Sequence, residues 1–520
     1  MASAAAPASA PASALAAEPA PLTGARLIVA AFALALANFV VVLDTTIANV
    51  SVPHIAGGLA VSPTQGTWVI TSYAVADAIS VPLTGWLAAR FGTVRWFIFS
   101  IIGFGIFSFL CGISRTLDAL ILFRVLQGLS GGPLMPLSQI LLLRIFPKER
   151  AGIGLAIWAM TTTTAPILGP ILGGTISDNW TWPWIFFINL PIVAICAFGV
   201  FTLLSPFETK RVKARIDTVG LVLLVLSVGA FQVMLDTGRE HDWFGSTWIV
   251  GLAIVAAISF AAFVIWELTD ANPVVNLRVF RFRGFSFATM AISLGFGAFF
   301  AQVVLTPLWL QQVVGYTATE TGFVVAWIGV FAVLLSPVAA GLIGKFDIRI
   351  SISAGILWMA LMSVLRASWN ADVGYWTLAL PHVLQGMGMP FFFVGLTALA
   401  LSSVPAHLQT SAAGLMSFLR TLCGAIGTAI ATTAWDDASR TSRSELVSSL
   451  NNPEATLSSL QGVGLTLEQA RAVLDRLVEA QAATLGVLHL FLASGVIFVI
   501  AAGAVWLAPR PKQISMGGGH

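Results

Sequence analysis

A chain of 520 residues that is 57% hydrophobic and only 9% charged, with a mean hydropathy of +0.90, excludes a soluble globular domain and marks an integral membrane protein. A net charge of +3 built from so few charged groups gives no basic surface for nucleic acid. Cys111, Cys196 and Cys423 each stand alone in apolar runs, so they form neither a disulfide framework nor a metal-ligand spacing and read as small packing residues.

The first 25 residues are rich in Ala, Pro and Ser and lack a basic start and an apolar core; they read as a disordered tail, not a signal peptide. After Arg26, apolar stretches recur that are long enough to cross about 30 Å of hydrocarbon, which takes roughly 20 residues. The first six fall at 27–50, 64–88, 96–114, 118–141, 152–176 and 184–205. A pair at 217–236 and 246–267 follows, flanked by the basic loops "KRVKAR" and "RVFRFR". The last six fall at 285–311, 320–343, 350–366, 375–401, 408–434 and 484–508. The expected fold is therefore an all-α membrane protein of 14 transmembrane helices. Its divisions are a tail over 1–25, a six-helix bundle over 26–205, an inserted pair over 206–284, a second six-helix bundle over 285–510 with a long loop at 435–483, and a tail over 511–520.

Positive charges near helix ends stay on the cytoplasmic side. With the N-terminus inside, 17 of the 26 basic residues fall in inner connections, among them Arg90, Arg95, Arg144, Lys148, Lys345 and Arg349. Arg115, Arg239 and Arg366 fall in short outer loops, and Arg440, Arg443, Arg471 and Arg476 in the long one. Both termini are expected to be cytoplasmic.

"RVLQG" at Arg124 and "HVLQG" at His382 repeat 258 positions apart, at the same depth of the fourth and twelfth helices. Pro82 before Arg90-Phe91 and Pro337 before Lys345-Phe346 repeat at nearly the same offset, 255. Parallel duplication of six helices is one of the architectures of secondary transporters, with the substrate site between the halves at mid-membrane.

A charged group at a helix centre costs about 3 kcal/mol on insertion scales, so it usually faces a cavity or a partner. Asp44 and Arg124 both lie about 10 Å deep, counting 1.5 Å per residue, and can pair for proton coupling, or as an ion pair that only fixes helix packing. Asp77 and Arg420 lie closer to mid-depth and are further candidates for proton coupling. In "APILGPILGG", Gly169, Gly173 and Gly174 allow close helix approach, and Pro166 and Pro170 remove backbone donors and bend the helix, a place where two halves can rock.

"LDTTIANVSVP" from Leu43, "RVLQG" and "APILGPILGG" resemble motifs of the first, fourth and fifth helices of the major facilitator superfamily, within it the fourteen-helix drug:proton antiporters. The resemblance extends to the EmrB-type multidrug efflux permeases in "PTQGTWVITSY", "GPLMPLSQILLL" and "WPWIFFINLP", and covers about residues 27–510. It implies proton coupling through Arg124, and export rather than import through the fifth-helix motif. "GWLAARFGTVR" resembles the inner gate motif through Gly85, Arg90, Gly92 and Arg95, but departs from it at Ala89, where the family usually carries aspartate. That departure removes a charge lock through that acid, and leaves Arg90 and Arg95 either to hold the inner gate by binding helix ends or to form a plain positive-inside loop.

The expected function is a proton-driven antiporter that exports hydrophobic drugs or toxic compounds, without a cofactor and without enzyme chemistry. Alternatives of the same fold are a fatty-acid or lipid exporter and a proton-coupled metabolite transporter. Trp68, Tyr73, Gln127, Gln302, Gln311 and Phe391 are the expected substrate-binding residues, on the expectation that they face the midplane. In the 435–483 loop, Thr466 and Gln469 have capping-box spacing, and Ala470, Val473, Leu474, Leu477 and Val478 form one stripe. That is an amphipathic helix which needs a partner or the protein's own outer surface. The resemblance implies a periplasmic adaptor of the EmrA type and an outer-membrane channel of the TolC type, with the chain in the bacterial inner membrane.

Overall fold

The computed structural model describes residues 20–510 except 148–149, 212–216, 272, 343–346, 371–372 and 451–452. Lys148 and Lys345, both assigned above to inner loops, lie outside the described residues, as do the two tails at 1–19 and 511–520. Every regular element among the described residues is helical.

Fourteen helical segments follow the order of the apolar runs. They are α1 (Gly24–Gly58), α2 (Trp68–Ser80 continuing as Thr84–Phe91), α3 (Thr93–Gly112), α4 (Leu117–Ile145), α5 (Ala151–Asn179) and α6 (Trp184–Leu203). The inserted pair is α7 (Thr218–Thr237) and α8 (Thr247–Thr269). The second set is α9 (Arg283–Val314), α10 (Thr319–Leu342), α11 (Ile348–Arg366), α12 (Tyr375–Ser402), α13 (Gln409–Ser449) and α14 (Leu467–Val505). Twelve of these are long and apolar enough to cross a membrane unaided, and α5 makes thirteen when its two limbs are taken as one span. The remaining segment, α2, is split into pieces of 13 and 8 residues. Pro82 explains the split, since it has no N–H to donate and its ring crowds the carbonyl four residues back.

The two sets of six pack alike. The first helix of each lies on its fifth and sixth, the second on the fourth, and the third on the fourth and sixth. Between sets, α5 packs on α10 and α12, and α13 packs on α2 and α4. These crossings are tight because lipid tails give apolar faces no reason to leave them, so association relies on small residues. Gly414 approaches the Val81 carbonyl and Gly152 the Ala340 carbonyl, where an added Cβ would lie 3.2 Å from each oxygen. α7 lies against α2 and α13, while α8 turns residues such as Ile258 and Ile265 outward, where lipid would solvate them.

The first and last described residues lie on one face, here the terminal face. Leu22 N donates to Ile145 O there, and Arg349 bonds Asp347 and the Ala508 carbonyl. Hydrogen bonds from Arg349 hold the Asp347 carboxyl below the usual carboxylate range.

At the opposite face the 435–483 segment is no loop. α13 runs for 41 residues and α14 for 39, so both continue past the apolar stretches expected at 408–434 and 484–508. A short helix at Pro453–Gly462 joins them into a hairpin. The capping box at Thr466 and Gln469 is present and starts α14. Ala470 and Val478 of the predicted stripe are buried against the protein itself, whereas Val473 and Leu477 are exposed.

Candidate functional site

Asp44 and Arg124 form a salt bridge of 2.6 Å with both side chains fully buried. A charge pair out of water needs hydrogen bonds to its remaining donors and acceptors, and here four helices contribute them, leaving Arg124 Nη2 without a partner. Gln127 Nε2 and Asn189 Nδ2 donate to Asp44 Oδ1 at 3.0 and 2.7 Å, and Arg124 Nε donates to the Val69 carbonyl at 3.0 Å. Tyr73 lies beneath the guanidinium, 4.2 Å from ring centre to Arg124 Cζ. Asn189 escaped the sequence reading, since a single amide in "FFINLP" carries no charge signal. Tyr73 and Gln127, expected to line a substrate pocket, are instead parts of this closed cluster.

A second cluster stands at the equivalent place in the other half. Gln302 lies 258 residues after Asp44, and Gln385 lies 258 after Gln127. Arg366 Nη1 donates to Gln302 Oε1 at 2.7 Å and its Nη2 donates to Gln385 Oε1, while Gln302 Nε2 donates to Ser363 Oγ at 2.7 Å. The repeated VLQG thus acquires a purpose in each half: its Gln accepts from a buried arginine. Its Gly lets two helices touch, for a Cβ on Gly128 would lie 2.6 Å from Tyr73 O, and one on Gly386 would meet Ile328 O.

Arg366 was assigned by the charge rule to an outer loop, and the structure overturns this. It is 1% exposed at the last turn of α11, roofed by Trp369 and Phe491. His382, which occupies the place of Arg124, stacks on Trp369 and bonds the Leu378 carbonyl through Nδ1 at 2.9 Å. Gln302, Thr306, Arg366, His382 and Gln385 line one side of a small cavity that Pro166 of α5 closes from the other half.

Arg420 is fully buried in α13, with its guanidinium over the rings of Trp158 and Phe296 and Nη2 on Met135 Sδ. It touches both halves. Asp77 is only partly buried, and none of the hydrogen bonds of the Asp44 cluster reaches it. Three expected pocket residues lie elsewhere. Trp68 is 39% exposed at the start of α2, Gln311 is exposed at the end of α9, and Phe391 lines a separate small cavity with Ile348 and Leu342 at the terminal face. Their facing could not be read from residue type, because an aromatic or amide suits lipid boundary, packing and pocket alike.

α5 bends by 42° between Pro166 and Ile171. A Cβ on Gly169 would lie 2.6 Å from Thr46 Cβ, and one on Gly173 would lie 2.9 Å from Ile47 O. Both glycines therefore press on α1 two and three residues beyond Asp44. Gly174 was expected to share this role and does not, having nothing within 4 Å of its Cβ position. The side chain of Pro170 lies outside the described residues.

At the terminal face the aspartate absent at Ala89 has a substitute. Glu208, past the end of α6, accepts from Val94 N at 3.2 Å and Arg95 N at 3.0 Å, capping α3, and lies 3.8 Å from Arg95 Nε. Gly92 is held at φ +95°, and an added Cβ there would collide with the Glu208 carboxylate, so this glycine serves the cap. Arg90 lies over Trp86, and Gly85 abuts Ser411 of α13, which brings the two halves together at this face.

Residues 34–428 match the family model for the Major Facilitator Superfamily. The chain is 44% identical over 504 residues to Multidrug export protein EmrB of Escherichia coli strain K12, covering 96% of this chain and 98% of that one. It is 42% identical over 504 residues to Fatty acid resistance protein FarB of Neisseria gonorrhoeae, covering 96% and 99%. The fold is similar to the crystal structure of the human organic anion transporter MFSD10 (TETRAN), with a TM-score of 0.56 at 14% identity over 92% of this chain and 100% of that one.

Proposed function

The chain belongs to the Major Facilitator Superfamily, as a multi-pass membrane transporter similar to multidrug export proteins, and on that premise we propose that it is a proton-coupled antiporter exporting apolar toxic compounds. The observation that carries this reading is the fully buried Asp44, whose carboxylate is held at once by α4 and α6. A proton on Asp44 removes the charge that Arg124, Gln127 and Asn189 point at, so it loosens α1 from both helices. The close fit of Gly169 and Gly173 hands that loosening to α5, whose bend faces the other half. Proton uptake from one side and release to the other then drives rocking, aided by about 2.3 kcal/mol per charge for each 100 mV of membrane potential. Arg420, gripped by rings from both halves, completes the coupling set. The distribution of Lys and Arg supports a reading with both termini on the cytoplasmic side of a bacterial inner membrane.

The test is drug-dependent proton movement in proteoliposomes holding the purified chain. Addition of apolar drugs to vesicles with a pH gradient is expected to release protons, and no release across a panel of drugs would sink the reading. The name of the relative FarB supports a second reading in which the cargo is a fatty acid. Proton release by fatty acids but by none of the drugs would favour it.

The hairpin of α13 and α14 is read as the docking site for a periplasmic adaptor of the EmrA type, leading to a TolC-type channel. Its exposed apolar residues Val447, Val463, Leu467 and Leu477 support this. Changing all four to serine is expected to reduce adaptor capture at least tenfold while proton release by the permease alone stays within twofold. Undiminished capture would remove the hairpin from that role.

A further inference from the structure

The two halves build similar triangles from different helices: the arginine comes from α4 in the first and from α11 in the second, and the acid of the first is an amide in the second. In the first, Asp44, Arg124 and Gln127 make a closed group in which the carboxylate balances the guanidinium. In the second, Gln302 stands where Asp44 stands, so Arg366 is held by two neutral amides; its Nε is buried without a partner, as is Nη2 of Arg124, so what separates the halves is the carboxylate. Arginine does not give up its proton in proteins. Among the described residues lining the adjoining cavity there is no Asp or Glu. A permanent cation is therefore kept in an apolar place with its counter-charge missing, at the position where its twin has one.

The cavity beside it is shaped for something apolar. Phe299, Val303, Val325 and Ile328 form its other walls. It has room for roughly one water molecule. Its lid, Pro166, belongs to the bend of α5, so separation of α5 from α10 enlarges it.

We propose that this cavity is an anion subsite in which Arg366 takes the carboxylate of an apolar organic acid and the apolar walls take its body. The cargo supplies the charge that Asp44 supplies in the other half. The Arg366 guanidinium has one buried N–H, at Nε, without a hydrogen bond, so a carboxylate that reaches it gains a donor. The proposal rests on the reading of the chain as an exporter, and it adds the charge of the cargo and the residue that reads it.

The experiment is binding, with no gradient, to the purified full chain in nanodiscs at pH 8. The probes are 2-naphthoate and its neutral counterpart 2-naphthamide, which differ in charge and share an apolar body. Wild type is expected to bind the acid at least tenfold more tightly than the amide. Arg366→Gln is expected to lose that preference, leaving the two affinities within twofold. Gln302→Glu keeps the shape of the triangle and gives Arg366 a carboxylate of its own, so it is expected to fold and to lose the preference as well. It keeps the test decisive if Arg366→Gln does not fold. Equal binding of acid and amide by wild type, or a preference that survives Gln302→Glu, overturns the proposal. So does a preference lost with Arg420→Gln and kept with Arg366→Gln. Binding does not depend on proton coupling, so an intact preference alongside absent proton release would leave the site standing and the antiport reading fallen.

Discussion

Asp44→Asn is expected to lower drug-dependent proton release at least tenfold, to the level of empty vesicles. Asparagine has the size of aspartate, and Asn189 and Gln127 can still reach its oxygen, but it holds no titratable proton. The substitution also leaves Arg124 as a buried cation beside neutral groups, and breaking one side of a buried pair typically costs 3–5 kcal/mol. Loss of function alone would therefore fit two explanations, a lost proton carrier and a damaged fold. Combining Asp44→Asn with Arg124→Gln separates them. The double variant is expected to regain most of the melting temperature, because no unpaired charge remains, and to regain none of the proton release. Restored release in the double variant would reduce the pair to an ion pair that fixes helix packing.

The second large effect concerns how α5 leans on α1. Gly173→Ala forces a methyl to 2.9 Å from the Ile47 carbonyl, and Gly169→Ala to 2.6 Å from Thr46 Cβ. The Ile47 carbonyl is backbone and Thr46 Cβ is fixed directly to it, so neither has much room to yield, and overpacking of this kind costs about 1–3 kcal/mol. Each variant is expected to cut drug efflux at least tenfold with a melting temperature a few degrees lower. Gly174→Ala, with open space at its Cβ position, is expected to match wild type in both. Equal tolerance at all three positions would mean that the α1–α5 fit plays no part in the cycle.

The bilayer makes some of this architecture legible and hides the rest. Apolar runs have to match the hydrocarbon thickness, so the order of helices stands in the sequence, as does the duplication behind VLQG. Asp44 and Arg124 are conspicuous because charge is rare in such helices. Arg366 is hidden by the same logic: it stands at the end of an apolar run, where the charge rule reads a loop, and only packing of α9, α11 and α12 reveals its burial. Amides are hidden more deeply. Gln302 and Gln385 gain meaning from the arginine between them, and that arginine is supplied by α11, not by the helix that carries VLQG. The acid absent at Ala89 has a counterpart more than a hundred residues away in Glu208, which caps α3 and lies beside Arg95. The polar continuations of α13 and α14 have no apolar run to announce them, although the capping box at Thr466 marks where the returning helix begins.

The unbroken length of α13 has a mechanical consequence. At 1.5 Å per residue, 41 residues make a rod of about 60 Å. Near one end it is wedged against Gly85 on α2, and Arg420 is seated between Trp158 and Phe296 further along the same rod. No glycine or proline joint follows Gly427 in the helix, so the outlying half is stiff. Tilting such a rod by about 10° about the membrane midpoint carries a tip about 30 Å away through about 5 Å. A tilt of the membrane part would thus be magnified at the end of the hairpin.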